Sequence, residues 1–275
     1  MIILKLGGSI ITKKESSTSQ IDYDNLNRIS KEIKTALDNK DSNLSLQDGL
    51  IIVHGAGSFG HPPAKKYKIG QVFDIEEYDS KRIGFSKTQN AVNYLNTEVC
   101  KNFIENEIPC VCIQASSFIT TENKRIKTGN LDLIEKYLEE GYVPVIYGDP
   151  VIDSELKMAI LSGDQIIQYF ARNLLSKSNN DNKVILGTDV DGVYTKNPKT
   201  HDDAEHLDKV SSIDDIEALE AATTVDVTGG MVGKIKELLE LADIGINSKI
   251  INVNKEDYIR KALENEDIFG TIISK

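Results

Sequence analysis

Six apolar runs, IILKLG, LIIVHG, CVCIQA, YVPVIYG, KVILGT and SKIINVN, recur along the chain, and most lack any alternation of polar and apolar residues. A strand that alternates has one wet face, whereas a run without alternation is buried on both, as in a parallel sheet covered by helices. The segments between the runs carry helical spacing. Leu26, Ile29, Ile33 and Leu37 form one stripe and Val92, Leu95, Val99 and Phe103 another. A third, Leu131, Ile134 and Leu138, is closed by Gly141 as a C-terminal cap. Strand and helix alternate, which predicts an α/β fold with helices on both faces of a mainly parallel sheet.

Two stretches depart from this rhythm. Thr12 to Asp22 is polar and reads as a mobile loop, while DPVIDSELKMAIL reads as a short hairpin around Asp153 and Ser154. NPKTHDDAEHLDKV, after the fifth run, reads as a surface excursion. No repeat or linker is visible, so one domain over residues 1–275 is expected, in two lobes of about 1–178 and 179–275, with SKSNNDNK as the candidate junction.

Composition excludes several partners. The 275 residues carry a formal net charge of −11, and no Lys/Arg-rich run offsets it, so nucleic acid and anionic membrane surfaces are not expected to bind. Lys5 interrupts the apolar start, and no later run approaches the roughly 18 residues of a membrane span. The three cysteines fit a cytoplasmic protein with reduced thiols. His54, His61, His201 and His206 lack metal-ligand spacing with them, so no metal cage is expected.

The chemistry lies in glycine turns. LGGS, HGAGSFGH, YGDP and GTDVDG each follow an apolar run, at the edge where a parallel sheet opens to ligands, and DVTGGMVGK opens a helix. So many turns at one edge bring backbone N–H groups close to something anionic, and phosphate is the natural candidate. Gly55 to Gly60 matches the dinucleotide pattern G-x-G-x-x-G, but Pro62 and Pro63 argue against a helix running out of the last glycine. The acidic residue that should end a second strand is also missing. A Walker A loop is absent, since the nearest stretch, Gly229 to Ile235, has other glycine spacing and no Ser/Thr after Lys234.

Gly229 and Gly230 could still offer a helix N-terminus to phosphate, with Lys234 one turn inside; spacing alone does not separate this from a solvated lysine such as Lys236. Lys5 stands in an otherwise buried strand and must be edge-exposed or paired, with Asp164 of LSGDQ as candidate partner. Beside Gly7, Gly8 and Ser9 it can neutralise a phosphoryl group. Lys14 could close over the site or be an ordinary loop lysine, and His61 could grip an anion or be structural.

Together KLGGSIITKK, VHGAGSFGH, YGD, LSGD, GTDVDGVY and DVTGGMVGKI, in this order, resemble the amino acid kinase family, and within it the archaeal-type branch whose acceptor is isopentenyl phosphate. The resemblance implies a three-layer α/β/α sandwich, with acceptor in the N-terminal half, ATP in the C-terminal half, Mg²⁺ carried with ATP, and a homodimer. It makes Lys5, Lys14, His61 and Asp164 the catalytic set, His61 gripping the acceptor phosphate and Asp164 organising the lysines. Leu6, Gly7, Gly8, Ser9, Ile10, Ala56, Asp189, Gly229, Gly230 and Lys234 fall on the nucleotide side, and Gly55, Gly60 and Gly148 on the acceptor side. Gln165 departs from the pattern, which has a second acidic residue there, so no metal or nucleotide role is carried over to it.

The implied activity is ATP-dependent phosphorylation of isopentenyl phosphate. A relative acting on a phosphonate such as fosfomycin, a nucleoside monophosphate or an amino acid carboxylate is the alternative, and a non-catalytic nucleotide-binding regulator is a third reading. The apolar tail of the acceptor is expected along Phe73 to Leu95, at Ile83, Phe85 and Val92, with Ile146.

Overall fold

In the computed structural model, residues 1–13, 19–39, 49–175, 183–196, 198, 201–215 and 229–275 are described. In chain order the strands are β1 (Ile2–Leu6), β2 (Leu50–His54), β3 (Cys110–Ile113), β4 (Ile119–Glu122), β5 (Arg125–Gly129), β6 (Val143–Tyr147) and β7 (Asp149–Asp153). They continue as β8 (Lys157–Leu161), β9 (Lys183–Thr188), β10 (Val193–Tyr194), β11 (His206–Leu207), β12 (Lys209–Val210), β13 (Ser248–Asn252) and β14 (Thr271–Ile273). The helices are α1 (Gly8–Ile11), α2 (Tyr23–Asp38), α3 (Gly57–Lys66), α4 (Tyr78–Glu105), α5 (Asp132–Glu139), α6 (Gly163–Leu174), α7 (Gly229–Ala242) and α8 (Tyr258–Leu263).

All six apolar runs become strands of one eight-stranded sheet, ordered β12-β14-β13-β9-β1-β2-β6-β3. Every pairing between these six is parallel, and only β13 with β14 is antiparallel. The first strand sits between the two halves of the chain, with β2 on one side and β9 on the other. Each half contributes four strands, so the sheet is continuous across them.

Alternation of side chains along each strand then divides the core into two layers. Ile2, Leu4 and Leu6 of β1 pack with α2, α4 and α8 through Leu26, Ile29, Leu95, Val99 and Ile259. Ile3 faces the other way, toward α6 and α7, with Val53, Phe170 and Ile235. The result is an α/β/α sandwich. On the α6–α7 face a smaller sheet, β5-β4-β7-β8, is added. Its β7–β8 hairpin turns after Asp153, where the sequence placed it.

Local signals account for the helix ends. The Asp22 side chain accepts from the Asn25 amide at the start of α2, and Gly141, at φ 78°, follows α5. Three expectations change. The polar stretch after Thr12 is tied at its base, since Thr12 bridges Ile21 and the Lys13 amide donates to the Gln20 carbonyl, while residues 14–18 lie outside the described residues. The segment read as a surface excursion ends in β12, which joins the edge of the main sheet against β14. The candidate junction at 178/179 lies outside the described residues.

The third change concerns the prolines. Helix α3 runs through Gly60, Pro62 and Pro63. Pro62 cannot donate to the Ser58 carbonyl, but the Ser19 hydroxyl does so at 2.7 Å, so the acceptor that a proline would orphan is satisfied from outside the helix.

Candidate active site

The carboxyl ends of β1, β2, β6 and β9 open on one cleft of about 970 Å³. Their turns contribute Gly7, Gly8 and Ser9; Gly55 and Ala56; Gly148 and Asp149; and Gly187, Thr188 and Asp189. Helix α6 points its first turn, Gly163 and Asp164, into the same space, and Lys234 enters from α7. Helices with their N-termini toward a cleft present unpaired N–H groups and the positive end of their dipoles. Such a site suits an anion.

Lys5 shares the α6 side of β1 with Ile3, and this alternation aims it at the helix that carries Asp164. Its Nζ forms an ion pair with Asp164 Oδ1, in a residue only 5% exposed. Burial holds the ammonium below the ordinary lysine value, Asp164 pulls it back up, and the nearby charge of Lys234 pushes it down again. Lys234 is half-buried and has no carboxylate partner among the described residues. Two cations therefore face one cleft, and a carboxylate compensates only the buried one.

Helix α6 is placed by a capping box. The Ser162 hydroxyl accepts from the Gln165 amide, and the Gln165 side chain accepts from the Ser162 amide at 3.4 Å. Gln165 thus has a structural task in the turn that presents Asp164. Its Nε2 also donates to the Lys124 carbonyl at 2.8 Å.

The first two glycine turns touch. A Cβ on Gly8 would lie 2.6 Å from Gly57 Cα, and one on Gly57, at φ +49°, would meet the Thr12 hydroxyl at 2.5 Å. Only glycine permits this approach. Thr12 ties the turns together, since its hydroxyl donates to the Gly8 carbonyl at 2.8 Å and accepts from the Ser58 amide at 3.3 Å. Behind them His54 is fully buried, stacks on Tyr147 and bonds the Gly55 carbonyl and Asn96, and burial lowers its pKa.

His61 also lines the cleft, exposed on α3, and makes no hydrogen bond to the described residues. The lining further includes the apolar Ile69, Val92, Pro150 and Ile160, with Lys65, Gln71 and Thr88. Of the four tail-pocket candidates only Val92 lies here. Ile83 is exposed away from the cleft, Phe85 is not among its lining residues, and Ile146 is buried in the core. Helical spacing identifies the inner face of α4 but not which part of that face lines a cavity.

Asp149 is a residue that sequence reasoning passed over. It is 1% exposed; Oδ2 accepts from the Ser116 amide at 3.1 Å and Oδ1 has no hydrogen-bond partner among the described residues. Burial raises its carboxyl, against the pull of the polar groups of Ser116 and Gln114. Thr12, Gly57 and Gly187 were likewise not singled out, although a steric requirement for glycine leaves no other trace in a lone sequence.

Of the residues named from sequence, Lys5, Gly7, Gly8, Ser9, Gly55, Ala56, Gly60, His61, Gly148, Asp164, Asp189 and Lys234 are gathered around the cleft. Leu6 and Ile10 are not, because their side chains point into the core with 0% and 1% exposure. Gly229 and Gly230 begin α7. Lys14 lies outside the described residues.

The chain is 50% identical, over 100% of its length and 99% of the relative's, to the isopentenyl phosphate kinase of Methanothermobacter thermautotrophicus. Among solved structures, one of isopentenyl phosphate kinase matches it over 100% of both chains, with TM-score 0.86 and 47% identity. The product complex of the T. acidophilum isopentenyl phosphate kinase matches 99% of both chains, with TM-score 0.75 and 25% identity. The model of the amino acid kinase family matches residues 1–252, covering every strand of the cleft edge and α7 with its Lys234. The chain belongs to the amino acid kinase family.

Proposed function

We propose that the protein transfers the γ-phosphoryl group of ATP to isopentenyl phosphate, giving isopentenyl diphosphate and ADP. The observation that carries this reading is the meeting of the Lys5–Asp164 pair, Lys234 and His61 in one cleft that is also lined by the apolar Ile69, Val92, Pro150 and Ile160. Full-length likeness to isopentenyl phosphate kinases supports it. Residues 1–275 would work as one domain, the part up to about 178 holding the acceptor and the part from 179 the nucleotide, in a cytoplasmic homodimer.

Phosphoryl transfer is largely positioning and charge neutralisation. An acceptor phosphate, with a second pKa of about 6, already carries a nucleophilic oxygen near neutral pH. No side chain need remove a proton. That oxygen forms the new bond to the γ-phosphorus while the bond to the β-phosphate oxygen breaks and its electrons leave with ADP. Lys5 and Lys234 neutralise the transferring group, with Lys14 as a third cation; Asp164 holds Lys5 in place; His61 donates to the acceptor phosphate. The turns at Gly7, Gly8, Ser9 and Ala56 cradle the donor phosphates, with the backbone at Leu6, Ile10, Gly229 and Gly230; Asp189 lies on the nucleotide side, and Gly55, Gly60 and Gly148 hold the acceptor phosphate. Ile69, Val92, Pro150 and Ile160 take the apolar tail.

The donors in the cleft fit Mg²⁺ riding on phosphate. Among the described residues no group of three His, Cys, Asp or Glu side chains gathers, and Asp164 is engaged by Lys5. Mg²⁺ usually keeps its waters and binds through substrate phosphates. When bound, it would share the neutralisation of the β- and γ-phosphates.

Purified protein with Mg²⁺ and ATP should release ADP with isopentenyl phosphate. Dimethylallyl phosphate, fosfomycin, UMP, glutamate and acetylglutamate serve as comparison acceptors. Turnover with UMP or a carboxylate alone overturns the proposal, and absence of turnover with every acceptor points to a non-catalytic regulator.

A further inference from the structure

Helices α6 and α7 pack side by side, one carrying Asp164 and the other Lys234 in its first turns. The core of their contact is apolar, through Ile167, Ala171, Ile235, Leu238 and Leu239 within one cluster, and apolar contact is non-directional. Toward the far end of both helices from the cleft, Gln168 Nε2 donates to Glu240 Oε2 at 2.8 Å, with Arg172 Nη2 3.8 Å from the same carboxylate.

The β4–β5 hairpin adds a second set of directional links, one turn closer to Lys234. It is fastened to α6 at both ends of β5: Gln165 Nε2 donates to the Lys124 carbonyl at 2.8 Å, and the Tyr169 hydroxyl donates to the Gly129 carbonyl at 2.7 Å. From between these points Arg125 forks onto Glu237 of α7, one ion-pair contact and an Nη2 to Oε2 bond at 3.1 Å. Glu237 lies three residues beyond Lys234, one turn along the same helix. Bidentate pairs of this kind carry geometric specificity as well as energy.

The hairpin is itself stiffened at its turn. Asp153 accepts from the Thr121 hydroxyl and the Lys124 amide, both at 2.8 Å, and from the Asn123 amide at 3.2 Å. Burial alone would raise that carboxyl, but bonds from the backbone of Leu156 and Lys124, the Thr121 hydroxyl and the Glu155 amide bring it down to about 2.

We propose that this hairpin is a strap, in which Gln165 and Arg125 are positioning residues that hold Lys234 opposite the Lys5–Asp164 pair. The proposal rests on the reading of Lys234 as a cation acting on the phosphoryl group. It also accounts for an amide at position 165. Glutamate would still cap α6, because its carboxylate can accept from the Ser162 amide, but it would turn an acceptor toward the Lys124 carbonyl where Gln165 presents a donor.

The test uses the full chain, with ATP titrated calorimetrically in the absence of acceptor, kcat and both KM values, and Tm. Arg125→Ala and Gln165→Glu should each weaken ATP binding and lower kcat by about fivefold, the size expected of one partly exposed, well-formed pair. The acceptor KM should not move, and Tm should fall by no more than about 2–4 °C, the shift expected of a pair of that size. The charge swap R125E/E237R should restore the wild-type values, and in a Lys234→Ala background Arg125→Ala should change nothing further. Wild-type behaviour of Arg125→Ala, failure of the swap, or a larger fall in Tm with a parallel rise in acceptor KM would overturn the strap. Because the titration needs no acceptor, an enzyme that ignores isopentenyl phosphate but loses ATP affinity in Arg125→Ala overturns the proposed acceptor and leaves the strap standing.

Discussion

Lys5 and Lys234 face the same cleft but are held by opposite means. Lys5 rises from the central strand of the sheet, 5% exposed, and is paired to a carboxylate on a capped helix. Lys234 stands half-buried on α7 with no carboxylate partner among the described residues, and the polar bonds that place its helix lie on the outer surface. For the first, position and stability are one problem, because a buried ammonium must be compensated for the chain to fold. For the second they are separate. A family site of this kind is therefore anchored through its core on one side and adjusted through its surface on the other.

Substitution should separate the two modes. The largest effect is expected from Asp164→Ala, which strands a buried cation: Tm should fall with a loss of about 3–5 kcal/mol in denaturation, and kcat by about a hundredfold or more. The double variant Lys5→Met/Asp164→Leu should recover much of the stability and none of the activity. Recovery of activity would mean that Lys5 is structural alone.

Lys234→Ala and His61→Ala are the converse cases. The first should lower kcat by about a hundredfold, and the second should raise the acceptor KM by about tenfold while leaving ATP binding intact. Neither should shift Tm, since neither side chain has a polar partner to abandon among the described residues. A lowered Tm in either would erase the distinction drawn here.

The smallest effect is in pH dependence. Burial lowers the Lys5 pKa from its ordinary 10.5, so as pH rises Lys5 loses its proton before an exposed lysine would. The kcat profile should decline on the alkaline side at a pH below 10.5. A profile flat to pH 10.5 would show that the charge on Lys5 does not matter to the rate.

Much of this was legible beforehand because the signals were local and strong. Six unbroken apolar runs foretold six parallel strands, and the oddity of a lysine inside one of them pointed to a paired cation with Asp164 as its candidate partner. Short, weak elements were not legible: β12 has two residues and β14 three, and each exists by pairing with a neighbour rather than by its own pattern. Pro62 and Pro63 misled for the same reason, since the hydroxyl that satisfies the orphaned carbonyl comes from Ser19, far away in the chain.

By itself, then, the sequence determined the layers, the order of strand and helix, and the residue types brought to the sheet edge, because burial on both faces and a glycine turn at a strand end are written in short segments. Only the tertiary structure decided which lysine is buried and paired, that Val92 rather than Ile83 or Ile146 borders the cleft, and that Gln165 joins a helix cap to a hairpin. Those facts depend on distances between residues remote in the chain, such as the 159 positions from Lys5 to Asp164, and no local pattern records them.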